Sequence, residues 1–341
     1  MAYTRRHQSG LESGDVDEFD SVTDASIGTS NTYTGTYCLS KTVLSQNVDI
    51  RQGFADTRQI RGGFFMRYGI GGSVFNGKFL FRVYSGGVGG TRHVDVRATA
   101  NSTDMNLYVF GTKRGEYYYI TPDTYFHFGF DVKINGTVGW AYIYINGSLV
   151  MSFDGNTGSI DINTIQIGPN SSASADSIDP FYMDDFYIDD STGESSPTAP
   201  PIKRFYSLTP NGDGNYSQWT PIPTGSHYQK VDERPPNDNT DYLEAVTGSL
   251  YDSFDMTTFT LDTNENIIAM IPYVFAKRGS TSEQIALGTR SSGTDSVGDD
   301  KDLSVAYDYV WDRHVTGSLG FEWNQSYLDS VEIIIKSAGT Y

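Results

Sequence analysis

Residues 139–190 constrain the fold more than any other stretch. They read GWAYIYINGSLVMSF, then IDINTIQIG, then FYMDDFYIDD. Trp140, Tyr142 and Tyr144 fall on one face of an extended chain, and Ala141, Ile143 and Ile145 on the other, because strand side chains alternate. Asn146-Gly147 then supplies a two-residue hairpin turn. Leu149, Met151 and Phe153 carry the alternation onward, and the third run ends in two acidic pairs, Asp184-Asp185 and Asp189-Asp190. Three strands joined by tight turns predict the closing half of a β-sandwich.

The rest of the chain repeats the pattern. Strands are expected at 36–44, 60–70, 77–84, 93–98, 105–110, 117–120 and 125–132, with scarcely any 3.6-residue periodicity. Tyr (24), Phe (19) and Gly (36) are abundant, as suits strands joined by many turns. Gly86-Gly87 and Gly89-Gly90 read as hairpin glycines, and neither opens a helix as a phosphate loop would. The segment STGESSPTAPPI, residues 191–202, resists both helix and ladder and reads as a stiff spacer. The fold class is therefore all-β, two jelly-roll-like β-sandwiches joined by a Ser/Pro-rich linker. Residues 1–8 are an N-terminal arm, frayed or docked on a neighbouring subunit. Residues 9–190 form the first sandwich, and 203–341 the second, with strands at 256–261, 267–276, 284–289, 303–310 and 331–336.

Charge and cysteine content narrow the function. A net charge of −18 argues against nucleic-acid binding, which needs a basic surface. Cys38 stands alone, so no intrachain disulfide forms. The start, MAYTRRHQSGLESGD, has no apolar core of a signal peptide, and no apolar run approaches a membrane span. Synthesis in a cytoplasm is expected, without membrane insertion.

Three local matches in the first sandwich resemble the concanavalin A-like lectin/laminin-G group. They are the opening GLESGDVDEF, the central WAYIYINGSLV around its Asn-Gly turn, and the closing YMDDFYIDD. In that group the first and last strands lie side by side, and a carboxylate from each shares a cation. The resemblance thus implies calcium held by Glu12 and by Asp184 or Asp185. The plainer alternative makes these acids strand-end caps. The second sandwich resembles a module of tailed-bacteriophage virion proteins, through PNGDGNYSQWTP, VDERPPNDNTDYLEA and GFEWNQSYLDSVEIIIKS. That resemblance implies a virion component, a head decoration or fibre or a tail-fibre or tail-tip part. Its partners would be major capsid or tail proteins and further copies of itself, since such parts are commonly symmetric homo-oligomers.

Other sites are weaker. The loop NGDGN, 211–215, lacks the spaced carboxylates and closing Glu of an EF-hand and reads as a turn. The five histidines are scattered without ligand spacing. A glucanase-type E-x-D-x-x-E run is missing, because ESGDVDE, 12–18, has the wrong spacing. A non-enzymatic protein is expected on that ground. Glycan binding would use exposed aromatics, with Tyr118 and Trp140 as the candidate ligand-binding rings and Trp219, Trp311 and Trp323 behind them. The alternatives are a carbohydrate-binding module of a secreted or surface protein and, less favoured, a polysaccharide depolymerase.

Overall fold

The computed structural model describes residues 4–41, 48–68, 79–98, 104–115, 118–121, 123–170, 181–261, 265–279, 282–317, 320 and 322–340. Tyr117 and the expected strand ends at 42–44, 69–70 and 77–78 lie outside them. The chain divides into two compact units, 1–207 and 208–341. Both are built from antiparallel β-sheets, and among the described residues the one α-helix is a single turn, Gln325–Leu328, capped by the Asn324 side chain.

Two eight-stranded sheets form the first unit. In the first sheet the order is Ser148–Gly155, Gly139–Ile145, Phe126–Lys133, Gln59–Tyr68, Phe181–Asp190, Cys38–Lys41 and Ser26–Gly28. In the second it is Thr112–Lys113, Asp104–Val109, Thr91–Ala98, Phe79–Ser85, Ile162–Asn170, Asp49–Thr57 and Ser21–Thr23. Tyr118–Tyr119 pairs with Asp104–Val109 as an extra edge. Alternation sends one side of each sheet into a shared core that includes Phe64, Phe81, Phe128, Phe130 and Phe186. Phe81 lies 4.6 Å from Phe130 and 5.5 Å from Phe128, ring centre to ring centre, so the two sheets interlock through aromatic rings.

The N-terminal segment is neither frayed nor docked elsewhere. Thr4–Ser9 pairs antiparallel with the C-terminal half of Phe181–Asp190. Arg5 and Arg6 form ion pairs with Asp189 and Asp190, which is why two arginines stand opposite an acidic pair. The segment 191–202 is likewise no free spacer. It belongs to the first unit, lying against the first sheet's outer face. The Thr198 amide donates to Asp131 at 2.9 Å, Arg61 reaches Glu194 at 3.4 Å, and Pro200 abuts Gly129. Lys203 meets Asp189 at 2.9 Å. Its prolines leave it no ladder to join, yet the Thr192 and Thr198 N–H groups find carboxylates on the sheet.

The second unit has a six-stranded sheet ordered Pro210–Ser217, Tyr251–Met256, Glu332–Thr340, Ser282–Ser291 and Thr294–Val297, with Lys301–Asp302 on Ser282–Ser291. Two two-stranded ribbons complete it, Thr220–Ile222 with Tyr242–Glu244 and Tyr273–Ala276 with Asp308–Trp311. The expected turn at NGDGN is instead part of strand Pro210–Ser217. Gly214 runs there against Ser253 and the Glu332 carboxylate, where a Cβ would collide, and Glu332 accepts the Asn215 amide at 2.8 Å. A glycine chosen for close approach reads in sequence like a glycine chosen for a turn. The strand expected at 256–261 runs at Tyr251–Met256, and 267–276 is strand only at its end.

Each unit has its own core, so a core lesson should stay local. Phe128→Ala should cost the first unit about 3–5 kcal/mol. Its melting transition should fall by roughly 10 °C, with the second transition unmoved in calorimetry. Transitions that move together would show one cooperative core instead of two.

Candidate functional site

The three acids picked for calcium do meet. Strand Phe181–Asp190 has different neighbours along one edge: Cys38–Lys41 faces 181–183 and Thr4–Ser9 faces 186–190. Asp184 and Asp185 sit where the neighbour changes, at a register shift, with Asp185 in the left-handed region at φ 52°. A bulge there turns both carboxylates onto the loop at 33–37. Asp184 Oδ2 accepts the amides of Tyr33 and Thr34 at 2.9 and 3.2 Å, and Asp185 Oδ2 accepts the Thr34 hydroxyl at 2.8 Å. Asp185 Oδ1 takes the Phe205 amide at 2.9 Å. Glu12 Oε1 accepts the amides of Thr36 and Tyr37 at 2.8 and 3.0 Å and packs against Gly35, whose φ of 61° leaves no room for a Cβ.

These oxygens face N–H and O–H donors. Calcium requires six to eight oxygens around one point, and among the described residues no three His, Cys, Asp or Glu side chains are arranged to hold a metal. As they stand, Glu12, Asp184 and Asp185 act as caps, tying a loop and a strap to the closing strand.

The arrangement stores charge repulsion. Burial pushes Asp184 up to about 7, with the Glu12 charge adding to it. Burial, then the Asp184 charge, holds Asp185 well above the usual carboxylate range.

The aromatic candidates fare differently. Trp140 is buried, its indole N–H donates to Asp131 at 2.7 Å, and the Lys133 ammonium lies over its ring at 4.4 Å. Neither face is left for a ligand. Tyr118 packs partly on the core, and Tyr119 beside it is 58% exposed, so alternation chose the other ring. Burial overturns the Trp140 assignment, while Tyr118 stays half-buried.

A site that sequence reading missed lies on the outer face of the second sheet. Residues directly opposite in an antiparallel pair point to the same side. Ser21 faces Arg51, Arg51 faces Gln166, and Gln166 faces Arg82. Arg82 faces Asp95, Asp95 faces Tyr108, and Tyr108 faces Lys113. Seven strands thus place seven polar side chains in one row. The residues between them, Ile50, Ile165, Val83, Val94 and Leu107, are core, which puts the row on the opposite face. Six gaps of about 4.8 Å make it about 29 Å long.

The row is densely bonded yet incomplete. Arg82 Nη1 donates to Gln166 Oε1 at 3.0 Å and to the Tyr84 hydroxyl at 3.2 Å. Tyr84 donates to the same Gln166 oxygen at 2.9 Å, and Gln166 Nε2 donates to Asp49 at 2.8 Å. Arg92 and Arg97 each reach Asp95 Oδ2 at 2.9 Å. The Arg82, Arg92 and Arg97 guanidiniums gather over the Phe79 ring. Still, Arg82 Nε and Asp95 Oδ1 face each other as an ion pair at 3.7 Å, too far for a hydrogen bond, and Arg97 Nε and Asn106 Oδ1 are buried without a hydrogen-bond partner among the described residues. Such atoms are costly unless something satisfies them. Arg51, Arg82, Arg92 and Arg97 outnumber Asp49 and Asp95, so this face is cationic on a chain of net charge −18.

The bulge acids predict a pH dependence. In the unfolded chain Asp185 ionises near pH 4, whereas the folded chain keeps its proton to higher pH. Their stability contribution is full below about pH 4 and is lost as pH rises through the raised folded value. Asp185→Asn keeps the Phe205 bond, lets the Thr34 hydroxyl reverse its role, and suits a left-handed residue. It should stabilise the first unit at pH 8 and leave it unchanged below pH 4. An equal effect in thermal melts at both pH values would refute the buried repulsion.

No family model and no curated protein matches the chain. Solved structures similar to it include a cellulose-induced protein, at 11% identity and TM-score 0.43 over 53% of this chain and 95% of that one. A carbohydrate esterase of the Shiga toxin-encoding bacteriophage phi24B is similar at 10% identity and TM-score 0.41, over 55% and 99%. Alginate lyase vAL-1 from Chlorella virus is similar at 10% identity and TM-score 0.38, over 53% and 96%. At such identities these likenesses assign no activity to this chain. They do correct the expectation of a non-enzyme. Proteins similar to this chain include an esterase, a lyase, a sialidase and a glycoside hydrolase family 131 catalytic domain. The missing E-x-D-x-x-E run excludes one glucanase arrangement and does not exclude catalysis.

Proposed function

We propose that the first unit binds an acidic polysaccharide along the outer row of its second sheet. The observation that carries this reading is the gathering of four arginines on one sheet face, where buried atoms of Arg97 and Asn106 lack a hydrogen-bond partner among the described residues and Arg82 meets Asp95 only at 3.7 Å. Guanidinium forks match carboxylate geometry and are worth most where water is partly excluded. A straight row of about 29 Å suits a polymer better than a single sugar. Asp95 and Asn106 offer acceptors for hydroxyl groups beside the arginine donors, which is the mixture a uronic acid presents in reverse.

The setting of that binding is a separate part of the proposal. The chain serves as a structural component of a tailed-phage particle, presenting the sandwich to glycans. What supports this is the resemblance of the second unit's PNGDGNYSQWTP, VDERPPNDNTDYLEA and GFEWNQSYLDSVEIIIKS to virion modules. Stoichiometric recovery from purified particles by mass spectrometry checks it.

Binding is read by affinity electrophoresis of the full chain through gels containing polygalacturonate or alginate, against plain gels. A chain of charge −18 is repelled by polyanions, so retardation reports a specific site. It should weaken as salt rises. Arg92→Ala and Arg97→Ala should each weaken it roughly tenfold. Unretarded wild type, or variants retained as strongly as wild type, would remove the row from consideration. Assay of new reducing ends in the same mixtures reads whether the bound chain is also cut.

A further inference from the structure

The ribbon of Tyr273–Ala276 and Asp308–Trp311 in the second unit has two different faces. Tyr273 lies opposite Trp311, Val274 opposite Val310, and Phe275 opposite Tyr309. Val274, Ala276 and Val310 go down onto the core around Phe254, Leu287 and Ile335. Alternation then brings Tyr273, Phe275, Tyr309 and Trp311 up together on the other side. The rings form one strip. Tyr273 and Tyr309 are 6.2 Å apart, Phe275 and Tyr309 4.8 Å. Phe275 and Tyr307 stack at 5.2 Å with their planes 14° apart.

The end of the strip stands in water, with Tyr273 40% and Trp311 39% exposed. The other three tryptophans have each given their indole N–H to a protein acceptor: Trp140 to Asp131, Trp219 to the Leu250 carbonyl, Trp323 to the His314 carbonyl. An outward face on an acidic module is expected to be polar, and a row of aromatic rings there marks a binding surface.

The surroundings select the ligand. The strip is flanked by Asp308 on the ribbon and Asp312 just beyond it. Lys277 lies over Tyr307 at 4.4 Å and donates to Asn239 at 2.7 Å, and Asp312 pairs with Lys301 at 3.4 Å. Charges of both signs at the edge give no net pull on a polyanion, unlike the arginine row of the first unit. Tyrosine and tryptophan rings offer apolar faces and polar rims, complementary to a sugar ring with its C–H face and ring of hydroxyls. We infer that Tyr273, Phe275, Tyr309 and Trp311 form a stacking platform for a neutral polysaccharide, a second carbohydrate contact independent of the first.

The test uses the full chain and three soluble neutral polysaccharides, laminarin, xyloglucan and galactomannan, in affinity gels. Wild type should be retarded by at least one, with a change in tryptophan emission on titration. Trp311→Ala should weaken retardation about tenfold and abolish the emission change, with the second unit's melting transition unmoved. Arg92→Ala should leave it intact, which separates this platform from the row. Unretarded wild type in all three gels, or Trp311→Ala retained like wild type, would overturn the inference. So would a Trp311→Ala effect confined to self-association in sedimentation, which would make the strip a contact between copies of the chain.

Discussion

The bulge at Asp184-Asp185 is the point on which the first unit depends. One strand, Phe181–Asp190, must accept Cys38–Lys41 along its first residues and Thr4–Ser9 along its last. The change of neighbour leaves a gap in the ladder, and the backbone N–H groups of the loop at 33–37 point into it. Asp184 accepts two of those donors, Asp185 takes the Thr34 hydroxyl, and Glu12 accepts the next two N–H groups. A carboxylate suits this place because it accepts from several N–H groups at once. The cost is the burial of neighbouring carboxyl groups, which holds Asp184 and Asp185 above the usual carboxylate range.

Closing one sheet has consequences for the other. Residues 191–205 lie over the first sheet, where Asp131, Asp185 and Asp189 receive Thr198, Phe205 and Lys203. That strap uses the acids of the first sheet's outer face and covers Trp140's surroundings. The second sheet's outer face is different. Its arginines and acids pair mainly within a strand, Arg51 with Asp49 and Arg92 and Arg97 with Asp95. Arg82 meets Asp95 across strands at 3.7 Å, and Arg97 and Asn106 keep atoms without a hydrogen-bond partner among the described residues. Two sheets of equal strand number thus differ: the chain itself fastens the outer face of one, and the outer face of the other is closed only by its own side chains.

Much of the fold was legible before the structure. The alternation through Tyr142–Ile145 and the Asn146-Gly147 turn correctly predict the hairpin Gly139–Ile145 with Ser148–Gly155, since period and turn chemistry are local. Strand Asp49–Thr57 was missed. Its outward residues include Asp49 and Arg51, and Gly53 and Ala55 thin its pattern, so it reads as loop. Those same outward residues belong to the candidate site. The signal that could have found them is the recurrence of Arg-x-Asp or Asp-x-Arg at alternate positions, in Asp49/Arg51 and in Asp95/Arg97. A carboxylate and an arginine two apart share one face of a strand.

By itself the sequence determined the all-β class and the sandwich signature. These follow from periodicity and turn residues, which act over a few positions. Tertiary structure alone decided what the acids bind, which rings are buried, and which side chains share a face. Trp140 went inside because Asp131 on the neighbouring strand takes its N–H, and Trp311 stayed outside because its ribbon turns Val274 and Val310 inward. The row from Ser21 to Lys113 exists only through cross-strand register, which joins residues up to 145 positions apart, Ser21 and Gln166 both facing Arg51. No local pattern encodes such a register; the packing of two buried faces sets it.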